Sequence, residues 1–583
     1  MGDDGEKFGG WPGTHELCWG EGTWMSRFFD AVEENRDWID TVRPSDWLVA
    51  HPPQGRVYVP TTSYLEMTEW ALPPSEILPF HELLAEAKEN DSAAQRFLFG
   101  GFWRAFAARY REINDLHKQM LRTSDEVAAM DAGPEQERAL EHLLRGQSND
   151  VYWHGLFGGI YLVHLRQAVA AELIGAHDLA CGGAPGTHVA DLDLDGVDEV
   201  QLGGDGHLAT IDPAEGAGIG AWDVFASRLA AASGMRRRPE AYHEILRRYF
   251  AERAEAAETA GQAAAEAAID AEAEAESDET VVSVEDRVAE ASAAAMTTEE
   301  QVVLLHEGIE DLLVYDDHER RGALVAFHDL AHARDAGPAE LATLSLVDQG
   351  DFAGGAHELV ALDDGEATLR RLGVVAGRPL ALTKHIRLSG SRRSPALSVA
   401  LELVNPEPIA RAFELDLSFD WNMAGGGHNP AAYYAWTASG AEHFSFHDES
   451  GDLFGGVGLA FGNRDLGVTV TAELERPARI TWYPIETVSK SEGGYERVYQ
   501  ASALHCRWPV ALAPGATERF GVTFRAEQSR DLRDEEAAAE EPANADPADE
   551  DLDSGGDAVG ADPPPNRKRR RRTVKPGDAE TMR

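Results

Sequence analysis

Two hydrophobic periods divide the chain. Phe99, Phe102, Trp103, Phe106, Tyr110, Ile113, Leu116 and Met120 recur at steps of three and four, the spacing of one face of an α-helix. The pattern predicts further helices over 24–35, 135–145 and 156–174. Three helices with short connections within 73–180 predict a small bundle. From about Gly186 the period becomes two. Leu397, Val399, Leu401 and Leu403 alternate with mostly small or polar residues. Phe413, Leu415, Leu417 and Phe419 alternate with Glu414, Asp416, Ser418 and Asp420, and Val468–Leu474 and Phe520–Phe524 repeat the pattern. A strand written this way is expected to have one wet face and one buried face. Many such strands in series, between Gly, Pro and Asp turns, predict a β-sandwich.

Three stretches follow neither period. Residues 1–72 are dense in Gly, Trp, Pro and Tyr. Residues 251–300 are an Ala/Glu run with too little apolar variety to pack, either a solvated helix or a disordered insertion. Residues 527–583 are an acidic, Pro-rich tail ending in a basic run at Arg567–Arg572. The expected plan is an α+β multidomain chain. It has an N-terminal segment 1–72, a helical domain 73–180, a β-sandwich 186–526 carrying the 251–300 insertion, and a disordered tail 527–583.

Composition narrows the function. Lys and Arg total 52 against 102 Asp and Glu in 583 residues, a net charge of -50. That balance excludes a nucleic-acid-binding protein, which needs a cationic footprint. No run of 18 apolar residues predicts a membrane helix. The first ten residues have neither the basic nor the apolar part of a signal peptide, so a cytoplasmic protein is expected. Cys18, Cys181 and Cys506 are scattered and form neither a disulfide framework nor a zinc site. Only seven residues are Lys. An acidic, Lys-poor surface suits a cytosol with molar salt, where the Debye length shrinks to roughly 3 Å.

Candidate chemistry is concentrated at the start. In DDGEKFGGWPGTHE, Asp4 and Glu6 would share a face if residues 3–8 end a strand, with Trp11 on the loop after them. Paired carboxylates beside an indole suit a sugar site, although two nearby acids in so acidic a chain are more often simply solvated. Asp191, Asp193 and Asp195-Gly196 spell the start of a calcium loop, with Glu199 as a possible contributor. The twelfth position is Leu202 rather than the bidentate Glu, so a solvated hairpin is the preferred reading. His328 and His332 have helical spacing but lack the Glu of a metalloprotease helix. His154 is read as a structural histidine. No cofactor is expected.

The opening motif resembles the fourth conserved region of glycoside hydrolase family 57, in its α-amylase and 4-α-glucanotransferase branch. The resemblance continues through RFFDAVEENRDWI, PPQGRVYVPTTSYLEMTEWALP, GGFWRAFAARYREINDLHKQML, NDVYWHGLFGGIYLVHLR and YPIETVSKSEGGYERVYQ, in the family's order. It implies a (β/α)7 barrel, a helical domain and a mutarotase-like β-sandwich. It also implies retaining action on α-1,4-glucans or maltooligosaccharides, which needs two carboxyls roughly 5–5.5 Å apart. Carried over, the acid/base is Asp4, and Glu6, Trp11 and Trp153 are substrate-binding. The family's nucleophile Glu precedes this motif and is absent from the chain. The resemblance therefore implies only the barrel's last part in 1–72, and a chain inactive alone. The alternatives are a non-catalytic glucan-binding subunit, or a partner in the form of an upstream-encoded barrel half or a second copy.

Overall fold

The structure is a computed structural model that describes residues 5–11, 13–59, 61–63, 65–155, 158–273, 302–491 and 493–540. The first 72 residues form short helices and, among those described, no named strand. A 3-10 turn at Gly5–Phe8 precedes α1 (His15–Cys18), α2 (Trp24–Glu34), α3 (Pro44–Ala50) and α4 (Glu66–Ala71). The strand end expected over residues 3–8 is thus a turn at its described positions, because no described residue from 5 to 59 offers a neighbouring strand to pair with. Among these, only Cys18 is buried, while Trp38, Val49 and Tyr58 are 73%, 87% and 87% exposed. Phe8, Trp24 and Phe28 stack in a row at 5.3 and 5.2 Å.

The bundle follows as α5 (Pro74–Glu89), α6 (Trp103–Arg109), α7 (Arg111–Ala129), α8 (Pro134–Gly146) and α9 (Val163–Ala180). Phe106, Tyr110, Ile113, Ala139, Leu143 and Leu173 fill its core. The single run expected over 99–120 is two helices. They part at Tyr110, whose ψ of 89° leaves the helical region and whose hydroxyl donates to Glu240 Oε1 at 2.6 Å. The third expected helix begins at Val163, after a 3-10 turn at Gly159–Tyr161.

A separate five-stranded antiparallel meander comes next: β1 (His188–Ala190), β2 (Glu199–Gly204), β3 (His207–Asp212), β4 (Gly218–Val224) and β5 (Leu229–Ala230). The sequence reading had merged it into the sandwich. Val200, Leu202, Ala209, Ile211, Trp222 and Val224 turn one face into the main core. Pairing of Gln201 with Thr210 and of Leu208 with Asp223 puts the acids of the other face towards α7 and α9. α10 (Ala241–Ala273) runs into the Ala/Glu insertion, and 274–300 lie outside the described residues.

The remaining strands are β6 (Leu324–His328), β7 (Glu358–Asp363), β8 (Glu366–Val375), β9 (Arg378–Ser391), β10 (Ser394–Val404), β11 (Arg411–Trp421), β12 (Ala432–Ala438), β13 (Ala441–Phe446), β14 (Gly451–Asn463), β15 (Val468–Ser491), β16 (Gly494–Leu512) and β17 (Thr517–Gln528). They form one twelve-stranded sheet. Its path runs β13-β12-β14-β15-β17-β10-β9-β8-β7, with β16, β11 and β6 branching from β15. β15 is 24 residues long. Its first half pairs with β17 and its second with β16, so it joins both layers around one core.

The face of β11 expected to be wet is buried. Glu414, Asp416 and Asp420 are all enclosed, because β11 lies between β16 and β6 and is covered by surrounding segments. Each acid has a nitrogen partner: Arg507 at 3.5 Å from Glu414, His505 at 2.9 Å from Asp416, and Arg320 at 3.2 Å from Asp420. Burial opposes the Asp416 charge, but His505 and His328 outweigh it and hold its pKa well below the usual carboxylate range. Where partners exist, alternation marks two buried faces of different chemistry rather than one wet and one dry.

Residues 527–540, expected in the tail, are folded. β17 extends to Gln528 and a helix spans Leu532–Glu540. Asp531 pairs with Arg392 at 2.6 Å and Glu536 with Arg228 at 2.5 Å, which ties this stretch to the folded body. The basic run at Arg567–Arg572 lies outside the described residues.

Lys384 on β9 is fully buried, and no ion pair with a carboxylate is found among the described residues. Its Nζ donates to the carbonyls of Gly216 and Ala323 at 2.6 and 2.5 Å. Gly216 can present its carbonyl there because its φ is +71° and a Cβ would meet Ala353 O at 2.2 Å. Burial lowers the amine to about 7. The folded pKa thus lies below the unfolded one, and the unfolded chain binds the extra proton between them. Stability should rise with pH from about 7 to about 10.5, by a few kcal/mol in order of magnitude. Thermal unfolding across that range should show the rise in the wild type and a flatter profile in Lys384→Met. Equal slopes would reject the account.

Candidate functional site

An aromatic cleft opens on the helical bundle. Met67 of α4, Trp103 of α6 and His117 and Met120 of α7 face Tyr152 and Trp153, around a cavity of about 360 Å³. Long-range bonds fix the walls. The indole N–H of Trp103 donates to Tyr152 O at 2.8 Å, and the Tyr152 hydroxyl donates to Gly146 O at 2.6 Å. Trp153 is half-buried and meets Trp70 edge-on at 5.4 Å. Ile160 N donates to Trp153 O at 2.9 Å; Gly159 next to it has φ +46°, and its Cβ would lie 2.1 Å from that oxygen. Only glycine lets the chain pass this close behind the indole.

A buried charge anchors the cleft from behind. Glu240 accepts from the hydroxyls of Tyr110 and Tyr161, both at 2.6 Å, and pairs with Arg109 at 2.9 Å. Burial penalises this carboxylate, yet Arg109, His154 and the two phenols together lower its pKa. His154 stacks on Trp70 and approaches Tyr242 OH at 3.1 Å, a structural histidine as expected. At the cleft itself, burial followed by Lys118 and Arg104 lowers the pKa of His117, which favours the neutral ring. A mostly apolar trough with amide and imidazole groups at its rim suits the flat faces and hydroxyl edges of a sugar chain.

The sequence-derived residues divide. Trp153 is in the cleft wall. Asp4 lies outside the described residues. Glu6 is exposed in the 3-10 turn. Trp11 is 46% exposed, with Lys7 Nζ 5.8 Å from its ring. The structure thus gathers Trp153 with Trp70 and Trp103, and places Glu6 and Trp11 on the exposed N-terminal segment. Trp103 and Met120 belong to the helical stripe, which carries no sign of a cleft. Trp70 and His117 were not singled out, although both lie inside blocks that carry the family resemblance.

Asp191, Asp193 and Asp195 do come together, with carboxylate oxygens within 4.8 Å of one another. Glu199 Oε2 accepts from Leu192 N at 2.6 Å and Asp193 N at 3.3 Å, under the same loop. Burial raises Glu199 to about 7 and Asp223, on the same face of the meander, to about 6. His328 is buried against Asp416 and His332 is exposed beside Asp329, so that pair is not a site.

Family models for the alpha-amylase/4-alpha-glucanotransferase middle domain and C-terminal region match residues 101–180, and 191–280 with 276–519. The 4-alpha-glucanotransferase of Thermococcus kodakarensis is 32% identical over 527 residues, 90% of this chain and 67% of that protein. Alpha-amylase 1 of Dictyoglomus thermophilum is 29% identical over 528 residues, 90% of this chain and 68% of its own length. The crystal structure of 4-alpha-glucanotransferase from Thermococcus litoralis superposes with a TM-score of 0.61 at 25% identity, covering 90% of this chain and 66% of that one. The chain belongs to the alpha-amylase/4-alpha-glucanotransferase family, the branch of glycoside hydrolase family 57 that its motifs resemble. It spans about two thirds of the length of these relatives.

Trp153→Ala should weaken maltooligosaccharide binding about 5–30-fold, the equivalent of about 1–2 kcal/mol of lost stacking. Trp153→Phe should recover part of it. Calorimetric titration with maltoheptaose reads both, and unchanged affinity in Trp153→Ala would remove the cleft from the binding surface.

Proposed function

We propose that this chain is the C-terminal part of a retaining α-glucan-processing enzyme, an α-amylase or 4-α-glucanotransferase, that is catalytically incomplete as 583 residues. The observation that carries the reading is the match to both family models together with coverage of only about two thirds of the relatives. In this reading residues 1–72 are the last part of a (β/α)7 barrel, and the twelve-stranded sheet is the mutarotase-like sandwich. Asp4 is the acid/base, and Glu6, Trp11 and Trp153 are substrate-binding. The nucleophile Glu belongs to the part of the relatives that this chain does not cover. The exposed Trp38, Val49 and Tyr58 support this reading. Apolar surface on such a scale marks a contact face, and a barrel half supplied by another polypeptide would cover it.

The aromatic cleft favours a second reading, a glucan-binding subunit without chemistry of its own, because its walls are complete within this chain. Co-purification with an upstream-encoded polypeptide, followed by a maltoheptaose assay, decides between them. Products that appear only in the complex support the enzyme. Binding that never leads to turnover supports the subunit.

A further inference from the structure

The polar face of the meander packs against a polar stripe of α7 around a cavity of about 200 Å³. Pairing of Gln201 with Thr210 and of Thr210 with Ala221 puts Glu199, Asp212 and Asp223 on that one face. On α7, Ile113 and Val127 turn into the bundle core, and the neighbouring stripe of Asp115, Gln119, Arg122 and Glu126 meets the meander. Two polar surfaces brought together must satisfy the groups between them. Asp115, Glu126 and Asp193 are held by Arg321 at 2.9 Å, His177 at 2.6 Å and Arg111 at 2.7 Å. Glu199, Asp212 and Asp223 are each 4% exposed and are not held in this way. Among the described residues Glu199 and Asp223 have no ion pair, and the guanidinium nitrogens nearest Asp212 are at 3.8 and 3.9 Å. Glu199 Oε2 accepts from the loop amides of Leu192 and Asp193, while Oε1 is buried with no hydrogen-bond partner on a side chain that lines the cavity. Burial raises Glu199 to about 7 and Asp212 and Asp223 to about 6, as expected of carboxylates short of donors.

We propose that this cavity is a saccharide site, separate from the aromatic cleft, that takes one pyranose unit such as glucose. Its volume is that of roughly half a dozen waters at about 30 Å³ each, room for a single sugar ring and not for a chain. Its walls mix roles. Glu199, Asp212 and Asp223 accept, Arg122 and Arg321 donate, and the amide of Gln201 does both. A hydroxyl is donor and acceptor at once, so a ring of hydroxyls can meet all of them, Glu199 Oε1 included. Leu116, Leu208 and Ala221 leave an apolar strip for the C–H face of the ring. A single metal ion fits less well. Among the described residues the carboxylate trio close enough to share one is Asp191, Asp193 and Asp195, and of these Asp193 alone lines the cavity. An organic cation would be repelled by Arg122, Arg166 and Arg321 in the same wall. The cavity and the cleft share no lining residue, but α7 supplies both, with Gln119 and Arg122 to one and His117 and Met120 to the other. A sugar seated here would brace the helix that forms the cleft wall.

The test titrates glucose into the full chain in about 2 M KCl, where charge screening is nearly complete, and reads the heat. Only the choice of glucose as probe rests on the α-glucan reading. Because the readout is binding, a chain without turnover can pass this test and an active one can fail it. Saturable heat with a roughly millimolar dissociation constant is expected, with the same affinity in Trp153→Ala. Glu199→Gln and Asp223→Asn should each weaken binding at least about tenfold, the worth of a hydrogen bond to a charged group. Ala221→Leu should abolish it by filling the space. Dilution heat alone in the wild type, from a cavity that holds only water, would overturn the proposal. So would loss of glucose binding in Trp153→Ala, which would place the sugar in the cleft, or unchanged affinity in both carboxylate variants. Putrescine binding in place of glucose, weakened by the same substitutions, would overturn it in favour of a cation. Circular dichroism melts check that each variant folds; if one does not, the wild-type heat and the remaining variants decide.

Discussion

Incubated with maltoheptaose in high salt, the purified 583-residue chain is expected to give neither hydrolysis nor transfer products above background. Retention needs a nucleophile on the face of the sugar opposite the acid, with the two carboxyls roughly 5–5.5 Å apart. In the family reading the acid is Asp4, and its partner comes from an earlier strand that these residues do not contain. The buried acids named above do not take the role. The buried carboxylates of β11 are held by Arg507, His505 and Arg320 in the sandwich, and Glu240 is committed to Arg109, Tyr110 and Tyr161 behind the cleft. Co-expression with a polypeptide carrying the Glu should restore turnover. Asp4→Asn should then lower it on the order of 10²–10⁴-fold, the usual worth of a positioned general acid. Maltoheptaose binding in the cleft should persist, because Trp153, Trp103 and Tyr152 are set by the bundle alone. Robust activity of the single chain that survives Asp4→Asn would refute both the missing nucleophile and the assignment of Asp4.

Local pattern carried the periodic elements. The stripe from Phe99 to Met120 and the alternation of β10, β11 and β17 are dictated by short-range geometry, and the structure has helices and strands there. What local pattern could not carry was any partner distant in sequence. The helix break at Tyr110 answers to Glu240, 130 residues later. That break separates α6 from α7 and leaves Trp103 and Met120 lining a cleft instead of closing a core. The charges of β11 read as a wet face because their partners Arg320, His505 and Arg507 belong to other segments. The same cause hid the folded stretch after Gln528, whose Asp531 and Glu536 look like any acidic tail until Arg392 and Arg228 reach them. At the candidate site, Trp153 was legible through a family motif. Trp70 and His117 were not, since neither has a pattern of its own. The meander merges with the sandwich in the sequence pattern because both of its faces are covered, one by apolar residues and one by helices over acids.

Folding of this chain is expected to require salt in the molar range. The net charge of -50 comes from 102 Asp and Glu against 52 Lys and Arg, only seven of them Lys, so carboxylates outnumber cations about two to one. At about 50 mM salt the Debye length exceeds 10 Å and those charges repel across the surface; at about 1 M it falls to roughly 3 Å and the repulsion is local. The internal pairs respond differently. Arg237 with Asp316 at 2.7 Å, and Arg238 with Glu319 at 2.7 Å, are buried and shielded from bulk ions, so salt leaves them largely intact. Adding salt therefore removes a penalty without removing these supports, and the native state gains. Circular dichroism melts at rising KCl should show a cooperative transition appearing and moving to higher temperature between about 0.1 M and about 2 M, where screening is nearly complete. NaCl should act alike at equal ionic strength, because screening depends on charge and not on the identity of the ion. A sharp native transition at about 50 mM salt, with no gain at about 2 M, would mean that the acidic surface is not adapted to salt at all.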